Sequence, residues 1–149
     1  RAGSWERVMR YHVWFIAVGL LCLLAGISVG FWFMTPMGGN LALLPTHVHL
    51  NLFGWVTLTL YGLIHNAFPE LGQHRLARAQ FWFAVVGGIA LPIGFGLPRA
   101  SAAHIPLIGG GALSGAIAAI CFAIMFGRTV VFQRIANPAS THAGQRGMR

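Results

Sequence analysis

Charge is what this sequence has least of. Of its 149 residues 8% are charged, against roughly a quarter in soluble domains. Lysine and aspartate are absent. The acids are Glu6 and Glu70, and all ten basic residues are arginine. With 56% of residues hydrophobic, such a chain is a membrane protein rather than a soluble domain. A net charge of +8 would point to nucleic acid on a soluble protein. Here the arginines lie in short segments between apolar runs, so topology accounts for them and no nucleic-acid partner is expected. Cysteine is scarce too. Cys22 lies near the middle of one apolar run and Cys121 nearer the end of another, so no disulfide is expected and both read as small packing residues. The first apolar run is too long for a signal-peptide core and has no small-residue cleavage site behind it, so no cleaved leader is expected. With Arg1 in place of methionine, the numbering is expected to start inside a longer product.

What the chain does have is apolar length. About 20 such residues cross a bilayer as a helix, and four runs qualify: roughly His12–Met34, Leu44–Phe68, Ala79–Leu97 and Ile105–Phe126. The predicted fold class is an all-α membrane protein of four transmembrane helices in a single domain. The linkers "TPMGGN", "PELGQHR" and "PRASAAHIP" are rich in helix breakers. Pro45 and Pro106 sit where a helix start tolerates proline, and Pro92 is expected to kink the third span. Arg1, Arg7 and Arg10 precede the first span, Arg75 and Arg78 separate the second from the third, and Arg128, Arg134, Arg146 and Arg149 follow the fourth. The positive-inside rule then places both termini and the middle linker in the cytoplasm, with the bacterial inner membrane as the expected location. Residues 133–149 read as a polar, disordered tail. Gly26 and Gly30 form a GxxxG pair, and Gly111, Gly115, Ala119, Ala123 and Gly127 form a stripe for close helix contact. Trp14, Trp32 and Trp82 read as interfacial anchors.

The stretch "LLPTHVHLNLFGWVTLTLYGLIHNAFPEL", residues 43–71, places histidines where water is scarce. Residues two apart on a helix differ by about 200°, so His47 and His49 point to nearly opposite sides and do not chelate one ion together. Each serves its own pocket, or one pocket is shared with another chain. Two readings stand for the pair: ligation of haem or a metal, or hydrogen bonding between helices. His65 returns to the His47 face about 27 Å further on and reads as a snorkelling or capping residue near the cytoplasmic surface. Asn51, Gly54, Tyr61 and Gly62 share the His47 side, where Gly54 and Gly62 offer a smooth surface for a flat macrocycle. Tyr61 reads as packing. In the outer linker, His104 either ligates or starts the fourth helix, and Arg99 pairs with a propionate carboxylate or a lipid phosphate. His12, His74 and His142 lie at edges or in the tail. No Cys-x-x-Cys-His stretch is present, which excludes covalent c-type haem.

The segment "THVHLNLFGWVTLTLYGL" resembles the haem–copper oxidase and nitric oxide reductase superfamily, catalytic subunit, where an HxH pair in a span is often followed by an "FGW"-like stretch. In that family the first histidine of the pair holds the high-spin haem and the second the low-spin haem. Its twelve spans form three groups of four, with haem-bearing histidines mainly on the second span of each. This four-span chain looks like one third of that architecture, and a homotrimer would rebuild the ring. The resemblance covers about 20 residues around His47–Gly62. Beyond them it rests on span count. Arg99 matches in position the arginines that the family places near haem propionates. The family's copper site includes an adjacent His-His pair, which this chain does not have. The resemblance implies a membrane protein binding haem b, with His47 of one chain and His49 of the next as axial ligands of a six-coordinate, low-spin iron. The implied role is electron transfer with a quinol or cytochrome partner. The alternatives are a haem-dependent oxygen or nitric oxide reductase, which would be an oxidoreductase of the same type, and a copper-handling or assembly protein. A third is a module whose histidines only hydrogen-bond.

Overall fold

In a computed structural model the chain is described over residues 2–35 and 43–131, with the side chains of 2–10, 33, 130 and 131 left out of account. Linker residues 36–42 and the expected tail 133–149 lie outside the described residues. So do His142, Arg1, Arg134, Arg146 and Arg149, together with the side chains of Arg7 and Arg10.

The fold is all-helical. Helix α1 runs Ala2–Met34. A second segment follows in three pieces: α2 (Leu44–His49), a π-helix (Leu50–Thr57) and α3 (Leu58–Ala67). After a 3-10 turn at Pro69–Gln73 come α4 (Ala77–Gly96), α5 (His104–Phe126) and a last π turn at Gly127–Val131. Among the described residues three stretches are long and apolar enough to cross a membrane: Tyr11–Trp32, Ala77–Gly96 and His104–Thr129. They mark the chain as a membrane protein. The second segment was expected to be one more uniform α-helix. Instead its ladder widens directly after the two histidines, and Thr57 Oγ1 donates to Leu52 O at 2.9 Å across the widened turn.

Prolines set the ends. Pro45 lies in the first turn of α2, where its missing N–H costs nothing. Phe68 precedes Pro69, and Leu97 precedes Pro98. Both leave the helical region, Phe68 at φ −128°, ψ 76° and Leu97 at φ −78°, ψ 148°, because the proline ring crowds a helical residue before it. Pro92 lies inside α4, which continues past it to Gly96, and its carbonyl accepts a bond from Thr46 Oγ1 at 3.1 Å. The proline thereby helps tie α4 to α2.

Helix α1 lies along the second segment, and α4 lies along α5 while touching α2 and the π-helix. Phe15, Leu58, Phe81, Ala84 and Ala118 form the main core, and Leu71, Ala77 and Met125 a smaller one beside it. The closest backbone approach is between α4 and α5. A β-carbon on Gly87 would stand 2.9 Å from Gly115 N, and one on Gly111 would stand 2.6 Å from Leu91 N. Only the first half of the expected small-residue stripe packs. Gly111 and Gly115 are buried, while Ala119, Ala123 and Gly127 are exposed and Ala118 and Met125 take their place. Four-residue steps gain about 40° each, so the stripe rotates off the contact that alternating steps of four and three keep.

Candidate functional site

His47 and His49 diverge, as their spacing requires. His47 turns to α1, where its Nδ1 donates to Gly26 O at 2.8 Å. A β-carbon on Gly30 would stand 2.9 Å from His47 Cε1. The Gly26–Gly30 pair is therefore a notch for an imidazole rather than a bare helix-to-helix contact. Asn51 sits in the same notch, one turn on, and its Nδ2 donates to His47 O at 2.8 Å. His49 turns the other way. Its Nδ1 donates to Pro45 O at 2.7 Å, and its ring stacks on Phe95 of α4 with centroids 4.6 Å apart and planes 26° apart.

These two bonds fix the chemistry of both rings. A backbone carbonyl only accepts, so Nδ1 carries the hydrogen in each case and the lone pair is on Nε2. Nδ1 bonded to a carbonyl is the outer contact that metal-ligating histidines use to lock tautomer and ring angle. Both rings are partly buried, and each is braced by a rigid neighbour: a glycine notch for His47 and a phenyl face for His49.

The other expected residues fall elsewhere. The face of Gly54 is taken by α1, where a β-carbon would stand 2.7 Å from Cys22 Cβ, and Gly62 is packed the same way against Ile16 and Phe15. This side is a helix contact, not a platform for a macrocycle. Tyr61 packs against Phe15 and Phe122. Arg99 is exposed in the α4–α5 turn. His104 opens α5, and its Nδ1 is buried without a hydrogen-bond partner among the described residues. Both cysteines are free thiols. Among the described residues no three His, Cys, Asp or Glu side chains converge on a metal position.

His65 corrects the sequence reading most clearly. Expected at the surface, it is 2% exposed, beside Gln80 at 0%. His65 Nε2 donates to Gln80 Oε1 at 2.9 Å, and the Phe15 ring lies over it at 5.7 Å. The wider turn at Leu50–Thr57 absorbs about one residue. His65 lies enclosed between Phe15 of α1 and Gln80 of α4 rather than outward. His65→Leu or Gln80→Leu alone should each cost about 1–3 kcal/mol, since each strands a buried polar partner. The double variant should cost less than the two combined, which a double-mutant cycle of detergent melting curves measures. Strict additivity would mean the pair is not coupled.

Asn51, Phe95, Gln80 and the carbonyls of Gly26 and Pro45 carry no expected site role from sequence. Asn51 had a visible signal, four residues from His47 and so on its face. The others become neighbours only through tertiary packing. Compared with protein families, curated proteins and solved structures, the chain finds no match.

Proposed function

We propose that this chain is a membrane electron-transfer protein that holds haem b between subunits, with His47 and His49 as axial ligands. The observation that carries the reading is the pair of Nδ1-to-carbonyl bonds, from His47 to Gly26 and from His49 to Pro45. They place both lone pairs on Nε2 in braced rings. Hydrogen bonding between helices does not account for His49, whose Nδ1 bond stays within its own helix.

The donor set suits haem better than a bare ion. A porphyrin supplies four nitrogens itself and asks the protein for one or two axial ligands, whereas copper held by one chain needs several converging side chains. The two imidazoles face different helices, so one iron takes His47 from one protomer and His49 from its neighbour. A trimer closes that arrangement and gives the twelve-helix ring implied by the resemblance to haem–copper oxidases and nitric oxide reductases. Both termini then face the cytoplasm of a bacterial inner membrane, with the haem near the outer side and Arg99 at propionate level. Bound haem supplies reversible one-electron transfer. The chain's own residues hold the rings, fix their tautomer and keep water away. A quinol or a cytochrome is the redox partner. A second reading has one supporting observation, the buried Nδ1 of His104 with no partner among the described residues: His104 replaces one of the pair as a ligand.

The test is an optical spectrum of protein purified from a haem-replete host. Sharp reduced bands unmoved by carbon monoxide are expected. Colourless protein would refute haem binding, and bands that shift with the gas would indicate an open iron and a reductase. A companion variant, Gly30→Ala, sets a methyl against the His47 ring. It should weaken haem retention by about 10- to 100-fold, the usual effect of disturbing a residue that orients a ligand. Helicity by circular dichroism should stay unchanged, and unaltered haem content would show that the notch does not position His47.

A further inference from the structure

Helices α1 and α4 meet through Tyr11 and Phe15 against Phe81, and a groove runs beside that seam. At one end it has a volume of about 600 Å³ and is lined by Tyr11, Trp14, Val18, Arg78, Trp82 and Val85, with Phe81 at its floor. A second, smaller groove of about 420 Å³ meets it at Val18 and is bounded by Leu21, Cys22, Thr46, Leu50, Ile89 and Gly96. From Arg78 to Gly96 along α4 is about 27 Å, close to the hydrocarbon thickness of a bilayer. Together the two grooves run lengthwise along α4 over a bilayer-like distance, and Arg78 at one end is their one charged lining residue.

That end is chemically distinct. Arg78 is exposed there, and among the described residues no carboxylate lines the groove. The indoles of Trp14 and Trp82 stand beside it, 58% exposed each. Indoles settle at headgroup level, which sets the depth of the guanidinium at the phosphate layer. One leaflet of hydrocarbon is roughly 15 Å deep, about ten residues of helix. Counted from Arg78, that distance covers the whole wide part of the groove and ends near Gly88. We propose that the α1–α4 seam binds an anionic phospholipid, its phosphate on Arg78 and one acyl chain along the groove between Trp82 and Val85. A quinone fits less well. Its head is neutral and calls for no cation, and at the far end of the slot the one polar side chain is Thr46, whose hydroxyl already donates to Pro92 O. The proposal rests on the membrane character of the chain and is independent of haem binding.

The test uses the full chain in phosphatidylcholine vesicles carrying increasing brominated phosphatidylglycerol or, separately, brominated phosphatidylcholine. Bromine quenches nearby indoles, so the two titrations give a relative affinity at the tryptophans. Phosphatidylglycerol should be preferred by about fivefold, the contribution of one arginine near an anionic surface. Arg78→Gln should abolish the preference, and Arg78→Lys should restore it in part. Arg75→Gln, in the preceding turn, should leave it intact. Trp82→Phe with Trp14→Phe should remove the selective component, locating it at this groove. The proposal is overturned by equal quenching from both lipids. It is also overturned by a preference that survives Arg78→Gln, or one that Arg75→Gln lowers as much. Relief of quenching by added ubiquinone irrespective of headgroup would assign the groove to a quinone instead.

Discussion

His49→Ala should purify folded and without the sharp, carbon-monoxide-insensitive bands of the wild type, retaining haem more than about tenfold less well. The expectation follows from the divergence of the two rings. His49 faces Phe95 and His47 faces the Gly26–Gly30 notch, so neither can substitute for the other on the same iron. The variant removes a ring whose bond stays within its own helix turn, and the core around Phe15 and Leu58 does not involve it. Circular dichroism should therefore match the wild type while the haem-to-protein ratio falls. His104→Ala is the matched control and should keep its colour. The reverse pattern, with His104→Ala stripping haem and His49→Ala retaining it, would replace the shared pocket with one inside a single chain. Cross-linking of wild-type protein adds a second check, since fully pigmented monomer is incompatible with ligands drawn from two subunits.

Gly111→Ala should lower stability by about 1–3 kcal/mol, the usual cost of overpacking. Gly110→Ala, one residue away, should be neutral or raise it by up to about 1 kcal/mol through helix propensity. At Gly111 the new methyl would meet the backbone of Leu91 at 2.6 Å, and backbone cannot rotate aside as a side chain can. At Gly110 nothing lies within 4 Å. The two substitutions share chemistry and helix, so intrinsic propensity cancels between them. Melting in detergent, followed by circular dichroism, reads the difference. Equal melting temperatures would mean that α4 and α5 do not approach through Gly87 and Gly111. A destabilised Gly110→Ala would point instead to a neighbour outside the single chain.

Much of this was legible in the residue order. Low charge and long apolar runs fix a helical membrane chain, because a bilayer tolerates little else. Proline placement fixed the ends at Phe68 and Leu97, since a residue before proline resists helical geometry. The opposed directions of His47 and His49 followed from helical rotation alone. They survived because the π-helix begins after them, at Leu50.

Beyond Leu50 the ladder widens by one residue, of which sequence carries no local sign. Gly54 and Gly62 still face α1, as His47 does, but which side chains become fully enclosed past that point was not legible. His65 accordingly moved from an expected surface position to a bond with Gln80, fifteen residues away. Tertiary contact also decided what the glycines are for. Gly26 and Gly30 read as a generic contact motif, Gly54 as a platform for a ring. In the fold Gly26 receives the Asn51 side chain, Gly30 the His47 imidazole and Gly54 Cys22. A missing side chain specifies only that something comes close, and which partner comes is settled by how helices cross. Amino-acid order by itself determined a lipid-embedded helical chain with two opposed imidazoles. Only the packed structure decided which ring nitrogen each one offers, because that depends on a carbonyl of another helix for His47 and on the ring's turn back to Pro45 for His49.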